Sequence, residues 1–314
     1  MRMPKMFNPA VFPTRIIATD GRNMKPTIAI VGCGRVGTAL AAFLTGRGYS
    51  VVGVASLHLT SAQRLAGRCG ISEATDRPWE ITARADVVFL TTPDGVIETV
   101  CESIARQNGF SADTVVLHCS GAHASTILNS AVPCGASIGS MHPLQSFASI
   151  EFTDNPFRGI RIAIEGDASA VLAADRMARD LEASPLQIIT AGKPLYHASA
   201  VVASNFLVTL MGVALRLIQQ AGVPSDESFS VLKPLIDGTL ANIDRVGVHQ
   251  ALTGPVVRGD VQTVESHIQS IQETMPELLP FYHCLVRYTA MQAAEGNRIT
   301  GDMMKTFEKM CPSG

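Results

Sequence analysis

A glycine-rich turn between an apolar run and a helical run constrains this chain most. Thr27 to Val31 is a short β-branched run, and the glycines that follow spell G-x-G-x-x-G in "TIAIVGCGRVGTALAAFL". In such a strand, turn and helix, Gly32 permits the sharp turn, Gly34 leaves room for a pyrophosphate, and Gly37 lets the helix pack on the strand. Free N–H groups at the helix N-terminus face the anion. The pattern predicts a dinucleotide site, and a turn that binds nothing is the competing interpretation.

The end of the second predicted strand bears on which dinucleotide binds. An Asp or Glu there would accept hydrogen bonds from the adenosine ribose and repel a 2′-phosphate. The strand Val51 to Val54 instead runs into "ASLHLTSAQRLA", which contains no acid. Several of its side chains can donate to a phosphate oxygen, namely Ser56, His58, Thr60, Ser61 and Arg64. We therefore expect NADP, with NAD possible. Ordinary loop and helix-cap roles explain Ser61 and Arg64 equally well.

Further strands place polar segments at one edge of the predicted sheet. "ADVVFLTTPD" (85–94) and "DTVVLHCSG" (113–121) each indicate a buried strand followed by a loop, after a helical segment. This alternation predicts a parallel sheet covered on both faces, with ligands bound beyond the carboxyl ends of the strands. Asp94 suits the N-cap of the next helix. The residues that we expect to bind the cofactor are Gly32, Cys33, Gly34, Arg35, Val36, Gly37, Ser56, His58, Arg64, Thr91, Thr92 and Pro93.

The pattern changes near residue 190. Strands are predicted at 136–141, 160–164 and 186–189, whereas beyond Lys193 apolar residues recur at i, i+3 and i+4 in the segments 194–220, 226–246, 260–272 and 276–296. The sequence therefore predicts an α/β fold, with a Rossmann-type parallel-sheet domain over 25–190 and an all-helical domain over 191–314. For residues 1–24 we expect a disordered extension that is not a signal peptide, with Met24 as a candidate start.

Charge and cysteine usage exclude several classes of partner. The chain has 25 Lys and Arg against 27 Asp and Glu, and it has no basic run, so nothing indicates nucleic acid or an anionic membrane surface. Seven cysteines without C-x-x-C spacing are typical of reduced thiols in a cytoplasmic protein. His118, Cys119 and His123 lack the fixed spacing of metal ligands, so we expect no metal site.

One helix bears on both membranes and assembly. Ala198 to Leu215 is uncharged and approaches the length of a membrane span, but Asn205 and the nearby Ser and Thr residues favour a helix buried in protein. Its apolar residues lie on all sides and exceed what one face against the sheet domain needs. We therefore expect no membrane insertion and a homodimer joined through the helical domains.

The order of domains resembles a known superfamily. A glycine-rich nucleotide domain, followed by a helical domain entered through a long apolar helix, resembles the 6-phosphogluconate dehydrogenase and 3-hydroxyacid dehydrogenase superfamily. Pyrroline-5-carboxylate reductase and prephenate dehydrogenase share this plan. The segments "GCGRVGTAL", "TTPD", "HCSGAHAS", "SMHPLQSF", "YHASAVVASNFLVTL" and "LTGPVVRGD" look more like a family of Rossmann-like proteins with a C-terminal domain of unknown function. This resemblance spans Lys25 to about Ala294 and implies a dinucleotide-dependent oxidoreductase with a 6-phosphogluconate-dehydrogenase-like C-terminal domain.

One departure from the superfamily concerns its catalytic lysine. Its hydroxyacid dehydrogenases carry a Lys on the first interdomain helix and an Asn one turn later. Asn205 matches that Asn, but Val201 stands where the Lys is expected. Lys193 is no simple substitute, because twelve helical residues at about 1.5 Å each place it about 18 Å from Asn205. The lysine-dependent mechanism is therefore not implied.

Two histidines are candidates for moving the proton that accompanies a hydride. His142 follows a strand in "SMHPLQSF", and a similar His-Pro step touches substrate in prephenate dehydrogenases. His197 lies one turn before Val201, on the same helical face. We prefer His142. The alternative for each is a structural histidine bonded to backbone carbonyls.

Four residues are candidates for holding a small-molecule substrate. Ser120 and Gly121 match a Ser-Gly step that contacts substrate in related dehydrogenases. The amide of Asn205 can hold a carboxylate or carbonyl oxygen, and Arg258 can clamp a carboxylate with two hydrogen bonds. Asp260 better suits the cap of the helix that follows it.

Together these features give one hypothesis and one alternative. The hypothesis is an NADP-preferring oxidoreductase that moves a hydride to or from a small carbonyl, imine or hydroxyacid. The alternative is a dinucleotide sensor without turnover, which the valine at position 201 favours.

Overall fold

The chain forms two compact units that meet in sequence at Val201 and Val202. The computed structural model describes residues 25–312, so the expectation for residues 1–24 lies outside the described residues. We describe the sheet unit, up to Val201, and then the helical unit.

The sheet unit contains one eight-stranded sheet with the strand order β3-β2-β1-β4-β5-β6-β7-β8. Strands β1 to β6 are parallel, β7 runs antiparallel to β6, and β8 runs parallel to β7. The predicted α/β class is confirmed. The reversal at β7 was not predicted, because a buried apolar run does not reveal its direction. The strands are β1 (Ile28–Val31), β2 (Val51–Ala55), β3 (Ala74–Thr75), β4 (Val87–Leu90), β5 (Val115–His118), β6 (Ser137–Pro143), β7 (Arg161–Gly166) and β8 (Ser184–Gln187).

Helices cover both faces of this sheet, which explains its wholly apolar central strands, such as β1 and β4. Alternate residues of a strand point to opposite faces. Accordingly, Ile28 and Ile30 join one core cluster, and Ala29 and Val31 join another. All four residues are buried. The helices of this unit are α1 (Arg35–Gly46), α2 (Leu59–Cys69), α3 (Trp79–Thr82), α4 (Ile97–Arg106), α5 (Ala168–Asp180) and α6 (Lys193–Val201).

The helical unit has no strand between residues 202 and 312. Its small cores gather around Phe307 and Val264 in one cluster and Ile271 in another. It begins with a π-helical turn, Val202–Phe206. Its helices are α7 (Leu207–Gln220), α8 (Ser228–Val246), α9 (Val248–Ala251), α10 (Pro255–Arg258), α11 (Val261–Thr274), α12 (Leu279–Glu295) and α13 (Gly301–Met310), of which α13 was not predicted.

The two predicted helix caps have different outcomes. Asp260 caps α11, because its carboxylate accepts the N–H of Thr263 at 3.1 Å. The prediction for Asp94 is wrong. It begins a 3₁₀ turn that delays the start of α4 to Ile97, and its side chain makes no capping bond.

The helix that we expected to be buried in protein is exposed within this single chain, so its burial against protein stays a prediction. No residue from Ala198 to Leu215 is buried. The helical segment Thr190–Gln220, with a mean hydropathy of 1.9 over its most apolar window, is long and apolar enough to cross a membrane. Length and composition alone cannot separate such a span from a helix of a soluble protein. The polar residues of the segment indicated a protein environment, but they could not show that its own chain supplies it.

Candidate functional site

The three glycines of the glycine-rich turn differ in their structural surroundings. Gly32 has a φ of +111°, and a Cβ there would lie 2.6 Å from the carbonyl carbon of Thr91. A Cβ on Gly37 would overlap the carbonyl oxygen of Gly32. A Cβ on Gly34 would meet no protein atom within 4 Å. Packing therefore requires Gly32 and Gly37, whereas Gly34 faces open space.

That open space is a cleft of about 1110 Å³ within the sheet unit. It lies at the carboxyl ends of β1, β2 and β4. Nine predicted cofactor residues line it, namely Gly32, Cys33, Gly34, Arg35, Val36, Ser56, Thr91, Thr92 and Pro93. The cleft is not lined by Gly37, which packs behind the turn, or by His58 and Arg64, whose exposed side chains lie at the start and on the outside of α2.

The cleft offers hydrogen-bond donors that the protein leaves free. The first N–H groups of a helix have no partner inside the helix, and α1 begins here. Arg35 is exposed and forms no ion pair with any described residue. The Thr92 hydroxyl is buried without a hydrogen-bond partner in residues 25–312. Thr91, in contrast, donates its hydroxyl to the Gly32 carbonyl at 2.6 Å. The free donors suit an anionic ligand, and a pyrophosphate fits them.

Sequence reasoning missed the part of this cleft that lies beside the ends of β2 and β3. Leu57, which is 88% exposed, and Trp79 provide apolar surface there. Asp76 also lines the cleft, next to Ser56, whose N–H donates to the Thr75 carbonyl at 3.2 Å. An acid thus stands at the end of β3 rather than β2. A strand of two residues has no periodicity that could have revealed it.

A second group of side chains lies where β5 and β6 end. A Cβ on Gly121 would lie 2.8 Å from Nε2 of His142 and 2.8 Å from Cδ2 of His197. The structure therefore brings together three of the predicted site residues. The Ser120 hydroxyl accepts the N–H groups of Ala122 and His123, each at 3.1 Å, and so shapes the turn.

Lys193 is a member of this group that sequence reasoning set aside. It is fully buried, and its Nζ donates to the Ser120 carbonyl at 2.7 Å. Burial lowers the pKa of its amine to about 8, and the nearby Glu165 carboxylate opposes this shift. The distance to Asn205 was the wrong criterion, because the partner of Lys193 is a strand-end loop. The one feature of the sequence that could have identified Lys193 as a site residue is its isolated charge beside a long apolar helix.

Two histidines near Gly121, His142 and His118, are held neutral at pH 7. Burial, the Lys193 charge and His197 lower the pKa of His142 to about 4. Burial and Lys193 lower the pKa of His118 to about 3. The Nδ1 atom of His118 accepts the N–H of Ser120 at 3.1 Å, so His118 supports the turn.

Tyr196 was also missed, and it contacts the preferred proton donor. Its hydroxyl lies 2.9 Å from Nδ1 of His142. Burial raises the pKa of Tyr196 to about 12, so the phenol is protonated at neutral pH. Because the two residues are 54 positions apart, no local pattern predicts the pair.

The remaining predicted residues belong to the helical unit. Asn205 is exposed in the π-helical turn, a type of element that is frequent at functional sites. Arg258 is exposed at the end of α10. Within residues 25–312 no three His, Cys, Asp or Glu side chains are grouped so that they could hold a metal ion.

Comparison with known proteins identifies the parts of the chain. A Rossmann-like domain matches residues 15–143, and the domain of unknown function DUF2520 matches residues 160–289. A search of curated proteins found no match. Many solved structures match, and three of them illustrate the similarity.

These three share the fold over most of this chain. A Bacteroides fragilis protein, provisionally described as an NADP oxidoreductase, is 23% identical with a TM-score of 0.66 and covers 85% of this chain and 98% of its own. A Thermotoga maritima protein is 26% identical with a TM-score of 0.65, covering 86% and 99%. An imine reductase from Pseudomonas sp. is 20% identical with a TM-score of 0.61, covering 91% and 99%. The predicted resemblance is confirmed: the chain is a Rossmann-like protein with a C-terminal DUF2520 domain.

Proposed function

We propose that this chain is a nicotinamide-dinucleotide oxidoreductase that prefers NADP and acts on a small carbonyl, imine or hydroxyacid. The observation that carries the proposal is the cleft in front of Gly34, where the protein leaves room and free donors at the start of α1. The same fold in an imine reductase agrees with this activity.

The cleft assigns roles to its residues by the chemistry of their groups. The N–H groups at the start of α1 and the Arg35 guanidinium hold the pyrophosphate. Ser56 and Ser61 donate to the 2′-phosphate, while the Asp76 carboxylate beside them reduces the preference for it. A bound NADPH supplies a hydride. Cys33 takes no chemical part, because burial raises the pKa of its thiol to about 11.

The group around Gly121 is the proposed reaction centre. It adjoins the cleft, because β5 pairs with β4 and the N–H of Cys119 donates to the Leu90 carbonyl at 3.3 Å. We assign proton transfer to His142 and substrate contact to Ser120 and Gly121. His197 also packs against Gly121, where a Cβ would lie 2.8 Å from its Cδ2. From the helical unit, the proposal assigns substrate binding to Asn205 and Arg258.

Trp79 provides a direct test of cofactor binding. It is the only tryptophan of the chain and it lines the cleft, so bound NADPH should quench its emission by energy transfer. We expect saturable quenching by NADPH and weaker binding of NADH. Lack of quenching and of NADPH fluorescence enhancement would contradict the proposal.

A pair of alanine variants distinguishes an effect on the space for the nucleotide from an effect on folding. Gly34→Ala places a methyl group in the pyrophosphate position without touching the protein, and Gly46→Ala, at the end of α1, also meets no atom within 4 Å. We expect Gly34→Ala to weaken NADPH binding by more than tenfold and Gly46→Ala to leave it unchanged. Equal affinities would show that the nucleotide binds elsewhere.

Hydride transfer separates an enzyme from a sensor. Stereospecifically deuterated NADPH, incubated with a panel of carbonyls and imines, should transfer its label to one substrate class. Binding without transfer across the panel would favour the sensor.

We also propose a cytoplasmic homodimer joined through the helical unit. Its helix α8 buries only Ser228 within the chain and exposes apolar side chains such as Leu235. All seven cysteines are unpaired, as in a reducing compartment. Sedimentation at micromolar concentration tests the assembly, and a monomeric mass would contradict it.

A further inference from the structure

The pair of Tyr196 and His142 has a geometry beyond simple packing. Their rings meet edge to face, with centroids 5.6 Å apart and planes at 86°. The hydroxyl of Tyr196 lies 2.9 Å from Nδ1. The opposite ring nitrogen, Nε2, lies against Gly121, where a Cβ would come within 2.8 Å of it. Nδ1 is thus bound to Tyr196, whereas Nε2 has no hydrogen-bond partner among residues 25–312.

The chemistry of the two groups fixes the direction of this hydrogen bond. A phenol donates strongly and accepts weakly, because its oxygen lone pairs are delocalised into the ring, whereas the unprotonated nitrogen of a neutral imidazole accepts strongly. This chemistry favours Tyr196 as the donor and Nδ1 as the acceptor, which places the imidazole proton on Nε2.

Lys193 lies beside both parts of this arrangement, the loop at Gly121 and the ring of Tyr196. Its ammonium group holds the Ser120 carbonyl at 2.7 Å, directly before Gly121, and lies 6.0 Å from the centre of the Tyr196 ring. The charges that act on His142 are those of Lys193, His197 and Asp94, of which only Asp94 favours an imidazolium. Lys193 is thus a positioning residue that also opposes protonation of His142.

We propose that Tyr196 sets the tautomer of His142 and resupplies its proton, so that Nε2–H is the acid that protonates the substrate. This inference rests on the proposed function. As the cofactor's hydride forms the new C–H bond, the C=O or C=N π pair moves to the heteroatom. That atom takes the Nε2 proton while Nδ1 takes the phenolic proton of Tyr196. Nδ1 then returns its proton to the phenolate while Nε2 takes a proton from water, which restores the phenol and the starting tautomer of the imidazole.

The tautomer can be measured without any substrate. In protein labelled with ¹⁵N-histidine, long-range ¹H–¹⁵N spectra at neutral pH should show Nδ1 of His142 as the unprotonated nitrogen and Nε2 as the protonated one, with His142→Gln assigning the signals. Tyr196→Phe keeps the ring and removes the hydroxyl, and we expect it to populate the other tautomer. Tyr288→Phe is the control, because Tyr288 is 65% exposed in the helical unit. A proton on Nδ1 in the wild type, or no response to Tyr196→Phe, would overturn the inference.

Turnover then tests the relay with whichever panel substrate takes the deuteride. We expect Tyr196→Phe to lower kcat about 10²-fold, as for loss of a proton-transfer group, with NADPH quenching of Trp79 unchanged. An unchanged kcat in Tyr196→Phe would overturn the inference and leave the proposed function standing. A wild type that binds NADPH but transfers no hydride would overturn both, and the tautomer spectra would show whether the pair itself is formed.

Discussion

The two units of this protein differ in how far they bury their apolar residues. All four residues of β1 are buried, and helices close both faces of the sheet. In the helical unit, α7 has no buried residue and α8 has one, a serine. The sheet unit completes its cores within one chain, whereas the helical unit leaves the apolar faces of α7 and α8 exposed, and there we propose that a second copy packs.

The largest expected effect tests whether the sheet unit is as tightly packed as this comparison implies. Gly37→Val would force a side chain against the Gly32 carbonyl and the Thr91 hydroxyl. We expect a loss of about 3–5 kcal/mol in the free energy of unfolding of the sheet unit. Urea unfolding followed by Trp79 fluorescence measures it, with Gly46→Ala as the control. A loss below about 1 kcal/mol would show that the turn can relax.

The next effect tests whether the helical unit depends on a partner. Leu235 is 69% exposed on α8. Leu235→Glu should weaken self-association more than 100-fold, about 3 kcal/mol, by placing a charge in the proposed interface. Sedimentation equilibrium measures this change.

The matched control for that variant lies on the sheet unit. Leu172 is 71% exposed on α5, and Leu172→Glu should leave the mass unchanged. If both substitutions lowered the mass in sedimentation, or if neither did, the two units would not differ in the way that we describe.

A smaller effect concerns acid stability of the sheet unit. The pKa of His142 is about 4 in the folded chain against an ordinary value of 6.5, so its contribution is present above pH 6.5 and is lost as the pH falls towards 4. From pH 7 to pH 5 we expect this histidine to cost about 2 kcal/mol of the free energy of unfolding. His142→Gln should remove that part of the loss in urea titrations at the two pH values. Identical losses in both proteins would refute a neutral, buried His142.

The smallest effect concerns nucleotide preference. Among residues 25–312, Asp76 supplies the one carboxylate that lines the cleft, and Asp76→Ser removes it. We expect NADPH to bind about 3–10-fold more tightly relative to NADH, because repulsion of the 2′-phosphate is lost. Trp79 quenching with both nucleotides measures the ratio. An unchanged ratio would place the ribose away from β3.

The sequence predicted local features better than distant contacts. The strand, turn and helix from Thr27 to Leu44 were readable, because the positive φ of Gly32 and the contact of Gly37 with the Gly32 carbonyl are local to the turn. Asp260 was readable as a cap for the same reason. The bond between Lys193 and Ser120 joins residues 73 positions apart, and hydrophobic periodicity contains no information on such a pair. The exposure of Ala198 to Leu215 within this chain was unreadable for another reason, since a periodic pattern does not say which chain covers a face.

The reversed strands of the sheet determine where the buried lysine lies. His118 pairs with Ser140, Ser140 pairs with Glu165, and Glu165 accepts a hydrogen bond from Thr190, just before α6. This register therefore fixes the position of the start of α6 relative to the end of β5. A slip of β7 by two residues would move that start by about 6.6 Å, more than the reach of one hydrogen bond, so an insertion between β6 and β8 would disconnect Lys193 from the loop that it holds.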